Sequence, residues 1–114
     1  GAFLDRFPDR VINLHPSLLP AFAGVDAIGQ ALAWGARITG VTVHFAEEEV
    51  DAGPPILQEA VPVPYDRSAD ALTSRIREAE HRLLPSAIRL FAEGRVSRDP
   101  SDRRRVIITE VQSR

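Results

Sequence analysis

The chain has 114 residues, of which 44% are hydrophobic and 26% are charged, so one globular domain is expected and a disordered or membrane-spanning chain is excluded. The formal net charge of −2 gives no general attraction for nucleic acid or for an anionic membrane, and neither is expected as a partner. The absence of cysteine excludes disulfides and thiolate chemistry, and together with an N-terminus that lacks a secretory signal it favours a cytoplasmic location.

The first predicted element is a short buried strand at residues 11–14 that leads into His15. Pro16 and Pro20 prevent the chain from continuing as a regular helix or as the interior of a paired strand, so His15 lies at the carboxyl end of the strand. In open α/β sheets, ligands bind at that end. No parallel neighbour for this strand is evident in the chain, which indicates that earlier strands are missing.

The middle of the chain predicts a short helix followed by two strands. Residues 26–34 have the apolar spacing of a helix that Gly35 can end. Residues 39–46 alternate as a strand with two different faces, and His44 is expected on the polar face in a structural role. Residues 56–63 predict a second strand, whose prolines favour an edge position.

A long helix and a polar tail complete the predicted elements. Ser68 is a suitable N-cap for a helix that runs to Glu93. Residues 98–114 form a polar tail that contributes to a terminal hairpin, with its turn at residues 99–102. The arginines at 103–105 are expected to be solvated rather than functional. This order of elements is typical of an α/β fold.

Three polar residues could form an acyl-transfer site if the fold brings them together. The Asn13 carboxamide and a protonated His15 can donate hydrogen bonds to a developing oxyanion, and the Asp51 carboxylate can keep the imidazole charged and oriented. With no cysteine and no evident nucleophile elbow, this set favours transfer without a covalent enzyme intermediate. Each residue alone is more often structural than catalytic, so the pattern by itself leaves the assignment open.

Four segments resemble a known family. The segments INLHPSLLPAF, GVDAIGQALAWGARITGVTVHF, EVDAGPPILQ and EHRLLPSAIRLFAEGRV are similar to the C-terminal half of phosphoribosylglycinamide formyltransferase, in the formyltransferase superfamily. The resemblance covers residues 1–97 and implies a Rossmann-like sheet with mixed strands and a long C-terminal helix. It implies that residues 1–114 form a single catalytic region without the N-terminal nucleotide-binding half. Ala23 and Asp26 stand where the family has a proline and a histidine.

The resemblance also implies a reaction, which is formyl transfer from 10-formyltetrahydrofolate to the amine of glycinamide ribonucleotide in purine biosynthesis, without a metal. Asn13 and His15 would bind the formyl oxygen, while Asp51 keeps His15 protonated and helps an ordered water to move the proton. Pro16 and Glu80 correspond to positions that bind the ribonucleotide substrate. The positions that correspond to the folate-binding loop are Phe45, Ala46, Glu47, Val50 and Asp51.

Three alternative functions remain open. Formyltetrahydrofolate deformylase uses water as the acceptor, but Pro16, Leu18 and Leu19 favour the transferase. A methionyl-tRNA formyltransferase is less favoured because no basic RNA-binding domain follows Val96. The third alternative is a non-catalytic folate-binding or assembly fragment. In each case the exposed sheet edge is expected to cause self-association or pairing with the missing N-terminal half.

Overall fold

The computed structural model describes residues 9–110, which form two sheets and two helices. In chain order the elements are β1 Ile12–His15, α1 Ala27–Trp34, β2 Ile38–Phe45, β3 Pro55–Pro62, α2 Ala69–Ala92, β4 Val96–Asp99 and β5 Asp102–Ile108. The larger sheet has the order β1-β2-β3, the smaller sheet pairs β4 with β5, and all of these pairs are antiparallel. The predicted α/β class and the long C-terminal helix are confirmed.

Strand β1 differs from the strand predicted at residues 11–14. It begins and ends one residue later, lies at the edge of the three-stranded sheet, and pairs antiparallel with β2. Ile12 and Leu14 are half-buried against the hydrophobic core, while Asn13 is exposed and His15 is buried. The prediction of a buried strand is wrong because alternate side chains point to opposite faces of a sheet, and only one of these faces packs on the core.

The hydrophobic core lies between one face of the larger sheet and helix α2. Every residue of β2 after Ile38 is buried, and Val41, Val43 and Phe45 belong to the core cluster. The buried residues of α2 repeat at helical spacing and are Leu72, Ile76, Ala79, Leu83 and Ala87. The other face of β2 does not pack on this core, so it can contribute to a site.

That other face of β2 is buried beneath the segment that follows β1. Thr42 donates to the Ser17 carbonyl at 2.7 Å and accepts the Leu19 backbone N–H at 3.1 Å. Thr42 and His44 carry the polar side chains predicted for this face, but they are 0% and 1% exposed. The contacts made by Thr42 fix the course of the chain immediately after His15.

Both helices begin and end close to the predicted positions. The Asp26 carboxylate accepts the backbone N–H of Gly29 at 3.1 Å, and Gly35 ends α1 with a left-handed φ of 83°. Ser68 caps α2, which ends at Ala92, one residue before the predicted end. Within residues 9–110, no helix is both long enough and apolar enough to cross a membrane.

The C-terminal part of the described chain forms the predicted hairpin, β4 and β5, while residues 111–114 of the predicted tail lie outside the described residues. Arg103, Arg104 and Arg105 are exposed, as expected for solvated arginines, but they also contact other parts of the protein. Arg103 donates to Asp9 at 2.7 Å, and Arg104 donates to the Ala52 carbonyl. The hairpin therefore packs against loops of the larger sheet.

Candidate active site

His15 lies at the carboxyl end of β1, where the following segment turns back over the sheet. His15 is 6% exposed. Its Nδ1 lies 3.3 Å from Oδ1 of Asp51, and its Nε2 lies 2.9 Å from the Phe22 carbonyl oxygen. Both ring nitrogens thus face oxygen acceptors. A protonated imidazolium can donate to both at once, whereas a neutral ring has only one N–H to donate.

Asp51 lies at the centre of the polar cluster. Its Oδ1 is 3.3 Å from His15 Nδ1 and 3.7 Å from His44 Nε2, and its Oδ2 accepts the Gly24 backbone N–H at 2.7 Å. Asp51 has a left-handed φ of 57°, which is unusual for a residue with a side chain. The carboxylate is therefore held from three sides by groups from β1, from β2 and from the segment that follows β1.

The sequence Asp51-Ala52-Gly53-Pro54 explains how Asp51 reaches this position. A Cβ on Gly53 would lie 1.6 Å from the Phe45 carbonyl oxygen, so only glycine allows the loop to return this close to the end of β2. The Phe45 backbone N–H then donates to the Pro54 carbonyl at 3.1 Å. This close return brings Asp51 back beside the strand that carries His44.

His44 is a member of the cluster that the sequence did not assign to the site. It is 1% exposed, its Nδ1 lies 2.9 Å from the Phe45 carbonyl oxygen, and its Nε2 has no hydrogen-bond partner closer than the 3.7 Å contact to Asp51. The strand register places Asn13 opposite His44 and His15 opposite Thr42. The alternation that places His44 on the same face of β2 as Thr42 was the available sequence signal, but it does not show which residues of other elements lie beside that face.

Asn13 precedes His15 by two positions in β1, so the two side chains lie on the same face of the strand. Asn13 is exposed, and within residues 9–110 its carboxamide has no hydrogen-bond partner. A carboxamide with this placement can donate to an incoming oxygen close to the His15 ring.

The residues predicted for the folate loop occupy two different environments. The Phe45 ring is 1% exposed and packs edge-to-face on Phe91 in the core, with the ring centroids 5.8 Å apart. Glu47 and Val50 are exposed on the loop that leads to Asp51, and Ala46 is half-buried. The loop can therefore present backbone and the Glu47 and Val50 side chains to a ligand, but not the Phe45 ring.

The two predicted substrate positions lie on different elements of the fold. Pro16 follows His15 directly and is half-buried. Glu80 is half-buried on α2, and among the described residues no hydrogen bond or ion pair joins it to His15 or Asp51. Residues 9–110 also contain no group of three His, Cys, Asp or Glu side chains arranged to hold a metal ion.

The chain belongs to the formyl transferase family, whose model matches residues 1–88. The match includes β1, α1, β2, β3 and most of α2, and so it contains all of the candidate site residues. Hairpin β4–β5 lies beyond the matched residues.

Similar proteins include enzymes of purine biosynthesis. The chain is 49% identical over 96 residues to the trifunctional purine biosynthetic protein adenosine-3 of Gallus gallus, covering 84% of this chain and 10% of that protein. It superimposes on the crystal structure of glycinamide ribonucleotide transformylase 1 from Symbiobacterium toebii with a TM-score of 0.90 and 51% identity, covering 96% of this chain and 50% of that one. A formyltetrahydrofolate deformylase from Pseudomonas syringae gives a TM-score of 0.86 at 30% identity, covering 96% and 36%. The chain spans half or less of the length of these relatives.

Proposed function

We propose that this chain carries the catalytic residues of a phosphoribosylglycinamide formyltransferase, which moves a formyl group from 10-formyltetrahydrofolate to the amine of glycinamide ribonucleotide. The observation that carries this proposal is the His15 ring held by Asp51 at the carboxyl end of β1, with Asn13 on the same face. The similarity to a glycinamide ribonucleotide transformylase at 51% identity, against 30% for a deformylase, favours an amine over water as the acceptor. The cytoplasmic location inferred from the sequence stays a prediction.

In the proposed reaction, His15 and Asn13 stabilise charge on the formyl oxygen. As the substrate amine attacks the formyl carbon, negative charge develops on the formyl oxygen. The His15 Nε2–H then leaves the Phe22 carbonyl and donates to this oxygen, and the Asn13 carboxamide donates a second hydrogen bond. Asp51 remains paired with Nδ1 and holds the ring in orientation. A water beside Asp51 takes the proton from the attacking amine and passes it to the leaving folate nitrogen as the C–N bond breaks.

We also propose that the complete enzyme joins this chain to an N-terminal half that supplies the ribonucleotide phosphate site. Strand β1 is an edge strand of the described sheet, and its Ile12 and Leu14 side chains are only half-buried. An added strand would satisfy the unpaired backbone groups of this edge and cover these side chains. We refer to this joined protein as the complete enzyme.

The proposal is tested by measuring formyl transfer in the complete enzyme and in His15→Ala, Asp51→Asn and double variants. Each single change is expected to lower kcat by about 100-fold or more, and the double variant should lose little more than one single variant, because the two residues act as a unit. Asp70→Asn, which changes an exposed carboxylate in the first turn of α2, is the matched control and should retain full activity.

Formate release without glycinamide ribonucleotide distinguishes the alternatives. Rapid hydrolysis that does not depend on the amine would identify a deformylase instead. Folate binding with neither transfer nor hydrolysis would identify a non-catalytic binding module. Full transfer activity in His15→Ala would contradict the catalytic assignment.

A further inference from the structure

Arg98, in strand β4, is a buried arginine that uses each of its side-chain nitrogens. Nη1 donates to Asp9 at 2.9 Å, Nη2 donates to Glu47 at 3.2 Å, and Nε donates to the Arg103 carbonyl at 3.0 Å. Its side chain is 8% exposed, and Cζ lies 5.3 Å from the centroid of the Phe45 ring. A planar guanidinium with these partners is held in one orientation, which a lysine could not reproduce.

The hairpin contacts both ends of the loop that connects β2 to β3. Glu47, at the beginning of the loop, binds Arg98. The carbonyl of Ala52, near the end of the loop, accepts a hydrogen bond from Arg104. Residues 47–50 between these contacts are exposed, and Asp51 directly precedes Ala52. Fixing both ends restricts the conformations open to the exposed residues and to Asp51.

We propose that Arg98 is a positioning residue for this loop and that Arg104 secures its second end. The inference rests on the proposed function, together with the assignment of this loop to the folate that the family resemblance implies. Arg98 acts through Glu47 and through the ring of Phe45, which together set where the backbone of the loop leaves β2. A ligand that binds loop backbone then meets groups that are already in place, so less ordering is required on binding.

These contacts come from a part of the chain that the family motifs do not include. The family model ends at residue 88, whereas Arg98 and Arg104 lie on the hairpin beyond it. Removing Arg98 leaves Asp51 its direct contacts with His15 and the Gly24 backbone N–H. Loss of the arginine is therefore expected to affect binding of the folate more than the chemical step.

The test compares Arg98→Met, Arg98→Lys and Arg104→Met in the complete enzyme, with Arg105→Met as the matched control. Arg105 is exposed on the same strand as Arg104, but it pairs with Asp99 and not with the loop. Steady-state kinetics and amide hydrogen exchange of residues 46–52 are measured for each variant. Arg98→Met should raise KM for 10-formyltetrahydrofolate about tenfold, with kcat changed less than about threefold and faster exchange in the loop.

Arg98→Lys should give an intermediate KM, and Arg104→Met a smaller rise in the same direction. Arg104 is exposed, so its variant decides the question even if Arg98→Met does not fold. Unchanged KM and unchanged exchange in Arg104→Met and Arg98→Lys would overturn the proposal, as would an equal effect of Arg105→Met. If the unmodified enzyme transfers no formyl group, the proposed function fails, while the exchange rates still decide whether the hairpin orders the loop.

Discussion

The backbone N–H of Gly24 donates to Oδ2 of Asp51 at 2.7 Å, across 27 positions of sequence. This bond joins the segment after β1 to the loop after β2, and both residues have left-handed φ angles, 87° and 57°. The other carboxylate oxygen faces His15. One backbone amide therefore orients the carboxylate that orients the imidazole, so the site depends on the conformation of the segment after β1.

Gly24→Ala is expected to lower kcat without disrupting the fold. A left-handed alanine costs about 1 kcal/mol, but its Cβ would have nothing within 4 Å, so relief of the strain would move the peptide that donates to Asp51. We expect kcat to fall about tenfold in the complete enzyme. Gly35→Ala is the matched control, because Gly35 has φ 83° and equal space but ends α1. It should lose similar stability and keep its kcat; equal loss of kcat in both variants would contradict the role of Gly24.

Asp26→Ala is expected to destabilise the complete enzyme by about 1–2 kcal/mol, because it removes the α1 N-cap and because alanine tolerates a left-handed φ less well than aspartate does. The Asp26 carboxylate accepts the Gly29 N–H at 3.1 Å. Asp26→Asn keeps an oxygen acceptor and tolerates the left-handed φ of 53°, so it should cost less than half as much. Urea denaturation measures both changes. The same loss in both variants would show that the cap contributes nothing.

The ends of the helices could be predicted because their signals are local. Gly35 and Ser68 act within one turn of the helix that each one caps, whereas Asp26 was predicted inside α1 and is its N-cap. The alternation of β2 was equally visible, because side chains on a strand repeat every two residues. For the same reason Asn13 and His15 could be assigned to one face from the sequence alone.

The contacts that could not be predicted join distant positions. Arg98 lies in a polar segment, yet it is buried because its partners Asp9 and Glu47 are 89 and 51 positions away. His44 was assigned to a polar face, but the segment after β1 covers it and Asp51 approaches it. The edge position of β1 and its antiparallel pairing likewise depend on tertiary structure, which no local pattern records.

Thr42→Val is expected to destabilise the complete enzyme by about 2 kcal/mol although the side chains have nearly the same shape. The buried hydroxyl donates to the Ser17 carbonyl and accepts the N–H of Leu19, and valine would leave both backbone groups unpaired. Thr42→Ser keeps the hydroxyl and loses one methyl group, so it should cost about 1 kcal/mol. Thermal unfolding with matched denaturant curves measures the difference. A valine variant as stable as the parent would show that these hydrogen bonds do not hold the segment after His15.

Asp9→Asn is expected to lower the free energy of unfolding of the complete enzyme near neutral pH but not at low pH. Although partial burial alone would raise the pKa of Asp9, hydrogen bonds from Arg103 and Arg98 bring it below its ordinary value of 3.8. A carboxylate with a lowered pKa in the folded state stabilises the fold above its ordinary pKa, and this contribution is lost as the pH falls through the lowered value. Urea denaturation is measured at a series of pH values from pH 7 to pH 3, and the free energy of unfolding is plotted against pH. The plots for the parent and for Asp9→Asn should converge below about pH 4. Glu110→Gln, which changes an exposed carboxylate outside the helices, is the control and should run parallel to the parent across the range. A constant gap between parent and Asp9→Asn would mean that the two arginines do not act through the charge of Asp9.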